Sequence, residues 1–448
     1  MRLRYWLCVL ALLPAACGAP QPGASMPGSE FGTSRTTHSA VHYTSPIQHV
    51  IILVQENRTP DYLFQGVPGA DISKTGLDHT GKTVKLTPIS LAAPYDLNHN
   101  HVGFERDYDG GKMDGFDTGL THQQQKYGVF HYAPKSETAP YLAMAKQYAF
   151  ADRMFQSNQS DSFPSHQYLV SGTASALPTT SWPAAGNPYD SQNGKGSGAG
   201  CDANKYSVVD TVSPYDGGPG PTPFPCFERP VLSDLLDQQG VSWRYYQNKL
   251  GTGLWHAMDA IKHVRYGQDY SNVITPPETV LSDISNNQLP GLSWVMPADL
   301  PHSDHPGSDS ASGPSWIAAV VNAVGASHYW NSTAIFVTWD DWGGWYDHVA
   351  PPQFNNYYEL GFRVPLLIIS PYARAGYVSH DQHEFGSLLA FSEETFGIPK
   401  GSLGTTDVRA DDLMDAFDFT QTPIVFVKIK APKFKPSKGS GSGSDADD

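Results

Sequence analysis

Three short apolar runs each end in residue types that bind metals or move protons. Gln55-Glu56-Asn57-Arg58 follows VIILV (50–54). Asp340-Asp341 follows AIFVTW (334–339) and leads into WGGWYDH, with Asp347 and His348. PADLPHSDHPG follows LSWVM (292–296) and carries His302, Asp304 and His305, while the loop DLNHNH (96–101) adds His99 and His101. Carboxylates gathered in this way repel one another unless a positive charge sits among them, and a divalent cation is the natural solution. Oxygen donors with a histidine option suit Mg²⁺, Mn²⁺, Ca²⁺, Fe or Zn²⁺ and do not choose between them. Taken singly, each residue also has a plain structural role. Asp340-Asp341 could cap a loop, Glu56 could pair with Arg58, and the histidines could form a solvated face. Position favours the chemical role, because in an open α/β sheet the ligand site lies beyond the carboxyl ends of the strands. Two adjacent aspartates followed by Trp342-Gly343-Gly344 are also a poor strand ending for stability, since like charges repel and glycine weakens order.

A nucleophile is a separate question. The stretch DSFPSHQYLVSG (161–172) holds or adjoins Ser160, Ser162, Ser165 and Ser171, and its own letters leave each of them a turn or N-cap serine. No Gly-x-Ser-x-Gly elbow occurs there, so a lipase-type triad has no support in this stretch.

The elements that must hold these residues show in the hydrophobic pattern. PVLSDLLDQQG predicts a helix with Pro230 at its first position, Leu232, Leu235 and Leu236 on one face, and Gly240 as terminator. GPSWIAAVVNAVG repeats that grammar, with Pro314 opening, Ile317, Val320, Val321 and Val324 as the stripe, and Gly325 closing. A third helix, SLLAFSEETFG (387–397), follows the run VPLLIIS (364–370). Short apolar runs alternating with such helices argue for an α/β fold whose sheet is mostly parallel, flanked by helices and carrying long loop insertions.

The whole chain sets outer limits. Its 448 residues, 40% apolar, can bury a large core. With 42 glycines, 36 prolines and 12% aromatic residues, the composition points to ordered turns and long loops over a rigid scaffold. Acidic residues outnumber basic ones 44 to 29, giving a net charge of −15. Read as an average with no Lys/Arg block, that balance argues against a nucleic-acid or anionic-lipid partner held by bulk charge. MRLRYWLCVLALLPAAC has the layout of a secretory signal peptide (1–17), and Ala15-Ala16-Cys17 resembles a lipobox that would lipidate Cys17. Export to the periplasm, cell surface or medium is therefore expected. The apolar run is too short to span a bilayer. Residues 18–44 read as a flexible leader, 45–435 as the folded domain and 436–448 as a disordered tail. In an oxidising compartment Cys201 and Cys226 are expected to pair and close a Gly/Pro-rich loop.

The motifs IQHVIILVQENRTPDYLFQG, TWDDWGGWYDHVAPP and GFRVPLLIISPYARAGYVSH with DLMDAFDF resemble those of the secreted bacterial phosphoesterases that include non-haemolytic phospholipases C and a group of acid phosphatases. That family lies within the alkaline-phosphatase-like superfamily. The resemblance runs from about Ile47 to Phe419. It implies a single alkaline-phosphatase-like α/β domain, a metal held by Glu56, Asn57, Asp340 and Asp341, and a hydroxyl nucleophile beside it. It also implies phosphoryl-facing histidines: His305 at the family's DHP position and His99 at its DxxH position. His263, beside Arg265, is a weaker candidate, and Asp347 and His348 belong either to the site's surroundings or to a loop anchor. In the acid-phosphatase branch the nucleophile is a serine in a Ser-Phe-x-Asn-His-Gln pattern, whereas the phospholipase branch uses threonine. Ser162-Phe163-Pro164-Ser165-His166-Gln167 stands closer to the former. The resemblance thus implies a metal-dependent phosphomonoesterase with Ser162 as nucleophile and His99 and His305 as phosphoryl ligands or proton donors. Phospholipase C activity on phosphodiesters, or a scaffold kept only for surface binding, are the rival expectations.

Overall fold

The computed structural model describes residues 45–120, 128–176, 182–196, 198–307, 312–354 and 356–436. The expected signal peptide, Cys17, the leader and nearly all of the tail lie outside the described residues. The central sheet has eight strands: β1 (His49–Gln55), β2 (Ala149–Ala151), β3 (Trp243–Tyr246), β4 (Val273–Ile274), β5 (Leu292–Val295), β6 (Thr333–Trp339), β7 (Leu366–Ile369) and β8 (Val378–Ser379). Their order is β4-β3-β5-β1-β6-β7-β2-β8. All neighbours run parallel except around β7, which is antiparallel to both β6 and β2. The mostly parallel α/β expectation holds, and the run VPLLIIS supplies the reversed strand.

β1, β5 and β6 read as unbroken apolar runs because both faces of the sheet are covered. Every residue of β1 from Val50 to Gln55, all of β5 and all of β6 are buried. β1 lies between β5 and β6, and its register with β6 sets Gln55 opposite Trp339. That alignment puts the next residues of each chain segment, Glu56 and Asp340, side by side at one sheet edge.

The helices used below are α1 (His101–Tyr108), α2 (Lys135–Gln147), α3 (Ser162–Ser171), α4 (Leu232–Gln238), α5 (Gly313–Gly325) and α6 (Phe385–Thr395). α5 crosses from β5 to β6, with Ile317, Val320, Val321 and Val324 buried as its stripe predicts. It closes on Gly325, where a Cβ would lie 2.3 Å from the Phe426 ring, so a side chain there would displace the segment packed across the helix end. α4 begins later than its sequence suggests. Asp234 accepts a hydrogen bond from the Val231 amide at 2.9 Å, which makes Val231 the cap and leaves Pro230 outside the helix. Gly240 follows at φ +68°, as a terminator should. Cys201 and Cys226 form a disulfide.

The averaged reading of charge needs a correction. The extended segment 424–436 carries exposed Lys428, Lys430, Lys433 and Lys435 within eight residues, a local basic stretch that the net charge of −15 conceals.

Candidate active site and metal centre

At the β1/β6 edge the backbone itself begins the site. Asp340 N donates to Gln55 O at 2.9 Å, and Glu56 N donates to Ser303 O at 2.9 Å, which ties in the loop after β5. Asn57 adopts φ +61°, a left-handed conformation that asparagine tolerates better than most residues. Its amide N–H donates to Asp340 Oδ1 at 3.0 Å, and Asp341 N donates to the same oxygen at 2.7 Å. Asp341 Oδ1 accepts from Gly343 N at 2.7 Å. The aspartate pair therefore does cap its own turn, as the plain structural reading allowed, but only with one oxygen of each carboxylate. Gly343, at φ +63°, passes so close to Asn57 that a Cβ would sit 2.4 Å from its carbonyl oxygen. This contact explains the glycine after the aspartates.

The sequence stretch that held four serines is now resolved into separate jobs. Ser162 opens α3, and its Oγ donates to Asp341 Oδ2 at 3.3 Å. Ser160 Oγ donates to Asp161 Oδ1, Ser165 Oγ accepts from Asn158 Nδ2, and Ser171 Oγ donates to the Gln167 and Thr173 carbonyls. Only Ser162 faces the carboxylates. One turn further along α3, His166 reaches the same cluster, with Nε2 3.2 Å from Glu56 Oε1 and 3.8 Å from Asp340 Oδ2. Sequence reasoning missed His166. The available signal was its spacing of four from Ser162, which puts both side chains on one helix face once a helix starts at Ser162.

Glu56, Asn57, Ser162, His166, Asp340 and Asp341 are all fully buried. Buried carboxylates without a cation are costly. Arg58, which its neighbouring position offers as a partner for Glu56, spends its hydrogen bonds on carbonyls. Its guanidinium donates to the Asn57 and Leu91 carbonyls at 2.9 Å and packs over Tyr62. Burial, reinforced by Asp340, holds the Asp341 carboxyl well above the ordinary carboxylate range. Among the described residues, Asn57 Oδ1 and Asp340 Oδ2 are buried with no hydrogen-bond partner. Ligand atoms of Glu56, His166 and Asp340 lie within 4.8 Å of one another. Hard oxygens, orphaned lone pairs and one imidazole fit a divalent cation, which Glu56, Asn57, Asp340, Asp341 and His166 could hold.

His99 joins this cluster from the loop before α1. Its Nδ1 donates to Leu97 O at 2.7 Å, so Nε2, 3.0 Å from Asn57 Nδ2, accepts from that amide, and it lies 3.8 Å from Asp341 Oδ2. This contact fixes the Asn57 side-chain amide. His305 lies on the loop after β5 and is buried, with Nδ1 donating to Pro306 O at 2.6 Å. Its neighbour Asp304 is in a left-handed conformation at φ +69° and is fixed by Tyr141 OH at 2.7 Å and Trp339 Nε1 at 3.2 Å. Burial pushes the Asp304 carboxyl up to about 6.

The other singled-out residues lie elsewhere. His101 packs against Tyr358, and His302 pairs with Asp299. His263 sits between Glu228, at 2.6 Å, and Asp234, at 3.0 Å, and Arg265 pairs with Asp202. Asp347 and His348 belong to a second cluster, where the buried Arg363 donates to both Asp347 oxygens at 2.9 and 3.0 Å. There His348 bridges Asp61, at 2.7 Å, and Asp71, at 3.0 Å.

Known proteins bear on this geometry. The chain is 24% identical over 452 aligned residues to "Phospholipase C B" of Mycobacterium tuberculosis, covering 85% of this chain and 79% of that one. It is also 24% identical over 462 residues to "Non-hemolytic phospholipase C" of Pseudomonas aeruginosa, covering 87% and 62% respectively. Among solved structures, a protein in the alkaline phosphatase superfamily from Vibrio parahaemolyticus aligns over 83% of this chain and 71% of its own, with 12% identity and a TM-score of 0.36. An overlap that low carries no argument about the site. The sequence match is decisive: residues 47–399 fit the profile of the Phosphoesterase family, so the chain belongs to that family and is a phosphoric ester hydrolase.

Proposed function

We propose that this protein is an exported, metal-dependent acid phosphatase that hydrolyses phosphate monoesters through a phosphoserine formed on Ser162. The observation that carries this reading is the position of Ser162 Oγ, 3.3 Å from Asp341 Oδ2 at the start of a ten-residue helix and beside the fully buried carboxylates of Glu56, Asp340 and Asp341. A bound divalent cation would supply the positive charge that lowers the serine pKa and offsets charge on the phosphoryl oxygens. The protein's own groups do the rest. Asp341 orients the Ser162 hydroxyl by accepting its hydrogen bond at the start of α3. Ser162 Oγ forms a bond to phosphorus as the bond to the leaving oxygen breaks, and that oxygen departs with a proton. Water then attacks the phosphoserine, releasing phosphate and restoring the hydroxyl. His99, with both ring nitrogens engaged, orients Asn57, and His305 is the candidate for binding phosphoryl oxygens or delivering the proton, a role that commonly contributes about 10²–10⁴-fold.

A second reading is favoured by the relatives themselves, which are named phospholipases C. It keeps the same nucleophile and metal ligands but takes a phosphodiester. Assaying p-nitrophenyl phosphate beside p-nitrophenyl phosphorylcholine separates the two. Turnover of the monoester with little on the diester is expected, and turnover confined to the diester would replace the first reading with the second. No hydrolysis of any phosphoester would leave the binding-only scaffold.

A further inference from the structure

Away from the carboxylate cluster, a cavity of about 720 Å³ opens between the C-terminal segment and the first turns of α2 and α5. The segment is firmly seated. Ile429 exchanges backbone hydrogen bonds with the Asn322 side chain at 2.8 and 3.0 Å, and the Phe434 ring lies 4.9 Å from the rings of both His302 and Trp316. Anchoring Ile429 and Phe434 inward forces their neighbours outward. Lys430 follows the first anchor, Lys433 and Lys435 flank the second, and all three line the cavity. None of the three makes an ion pair among the described residues, although the chain carries a net charge of −15. One carboxylate borders the cavity, and it is engaged elsewhere: Glu137 Oε2 accepts from Leu91 N at 2.6 Å and Ser90 Oγ at 3.2 Å. Pro301, Pro314 and Pro432 give the rest of the wall an apolar character.

We propose that this cavity binds a phosphate-bearing organic anion, with Lys430, Lys433 and Lys435 on the phosphoryl group and the prolines against the organic remainder. Three unpaired ammonium groups converging on one space call for a multiply charged partner, and the volume exceeds what orthophosphate alone would fill. The ligand is either a soluble phosphoester or the head group of an anionic phospholipid. Ser303, whose carbonyl accepts the Glu56 amide, lies one residue beyond the cavity wall at His302, so occupancy of the cavity adjoins the hydrolytic edge without overlapping it.

The test uses phenylphosphonate, whose carbon–phosphorus bond resists hydrolysis, so the result does not depend on which residue is the nucleophile. Calorimetry of the intact protein should show two sites, one of them weakened by added NaCl as exposed charge contacts are. In the Lys430→Gln/Lys433→Gln/Lys435→Gln variant that site should weaken at least tenfold, while kcat on p-nitrophenyl phosphate and the circular dichroism spectrum stay unchanged. In parallel, sedimentation with phosphatidic acid vesicles, against phosphatidylcholine controls, identifies the source. Lysine-dependent pelleting assigns a lipid head group, and lysine-dependent phenylphosphonate binding without pelleting assigns a soluble phosphoester. Equal phenylphosphonate and vesicle binding by wild type and the triple variant, or no binding outside the hydrolytic site, overturns the proposal.

Discussion

Two buried carboxylate clusters stand close in sequence and differ in one respect. At the β1/β6 edge Glu56 meets the His166 imidazole, Asp340 the backbone amides of Asn57 and Asp341, and Asp341 the Gly343 amide and the Ser162 hydroxyl. Around Asp347, by contrast, Asp61, Asp71 and Asp347 meet Arg363, Arg153 and His348. The second cluster balances its charge internally and also fastens loops, since Arg363 Nη1 reaches the Asp71 and Asp152 carbonyls at 2.9 and 2.7 Å. A group of ligand-type residues is therefore not in itself a metal site. An arginine in the middle marks a clamp, whereas buried oxygens left with open lone pairs beside an imidazole mark a place that suits an outside cation.

The largest expected effect belongs to the unbalanced cluster. Ser162→Ala should lower kcat at least about 10³-fold on any phosphoester that the enzyme turns over, with the melting temperature little changed. Exhaustive chelation should likewise abolish turnover, and wild-type activity that survives it would show that this cluster works without an outside cation. The balanced cluster should fail in the opposite sense. Arg363→Met strands two buried aspartates and should cost about 3–5 kcal/mol in denaturant unfolding, with no change in the metal requirement of whatever folded enzyme remains.

A smaller effect is a pH slope. Burial opposes the charge on His348, but the hydrogen bond and charge of Asp61 prevail and raise its pKa to about 9. A histidine raised above its ordinary 6.5 contributes stability that is fully present below that value and is lost as pH rises through about 9. Melting temperature should thus fall between those limits, and His348→Gln should flatten part of the fall. His263 is also raised to about 9 by Asp234 and Glu228, so the difference between wild type and variant is the quantity to read. A slope identical in both proteins would show that His348 is not held charged. Least affected should be Ser165→Ala, which removes one hydrogen bond to Asn158 and should cost about 1 kcal/mol with turnover unchanged.

Legibility in the sequence followed the same divide. Strand-end placement of Glu56 and Asp340 could be read because apolar runs reveal buried parallel strands, and a parallel register puts their ends together. Arg58 could not be read, because adjacency in sequence suggested a partner for Glu56 whereas the left-handed turn at Asn57 sends it to carbonyls. His166 was hidden because DSFPSHQYLVSG looks like a loop until Asp161 is seen to precede a helix. The lysines near the C-terminus vanished into a whole-chain charge, which averages over the distances at which charge acts.

Ser162 and His166 lie on one face of α3 in successive turns, and the three letters between them set their angular relation. In a helix each residue advances by about 100°, so adding or removing one would swing the imidazole a quarter-turn or more from Glu56 while leaving the serine in place. Phe163, Pro164 and Ser165 are therefore open to exchange in kind but not in number. Variation in this stretch across related chains should take the form of substitutions and never of gaps.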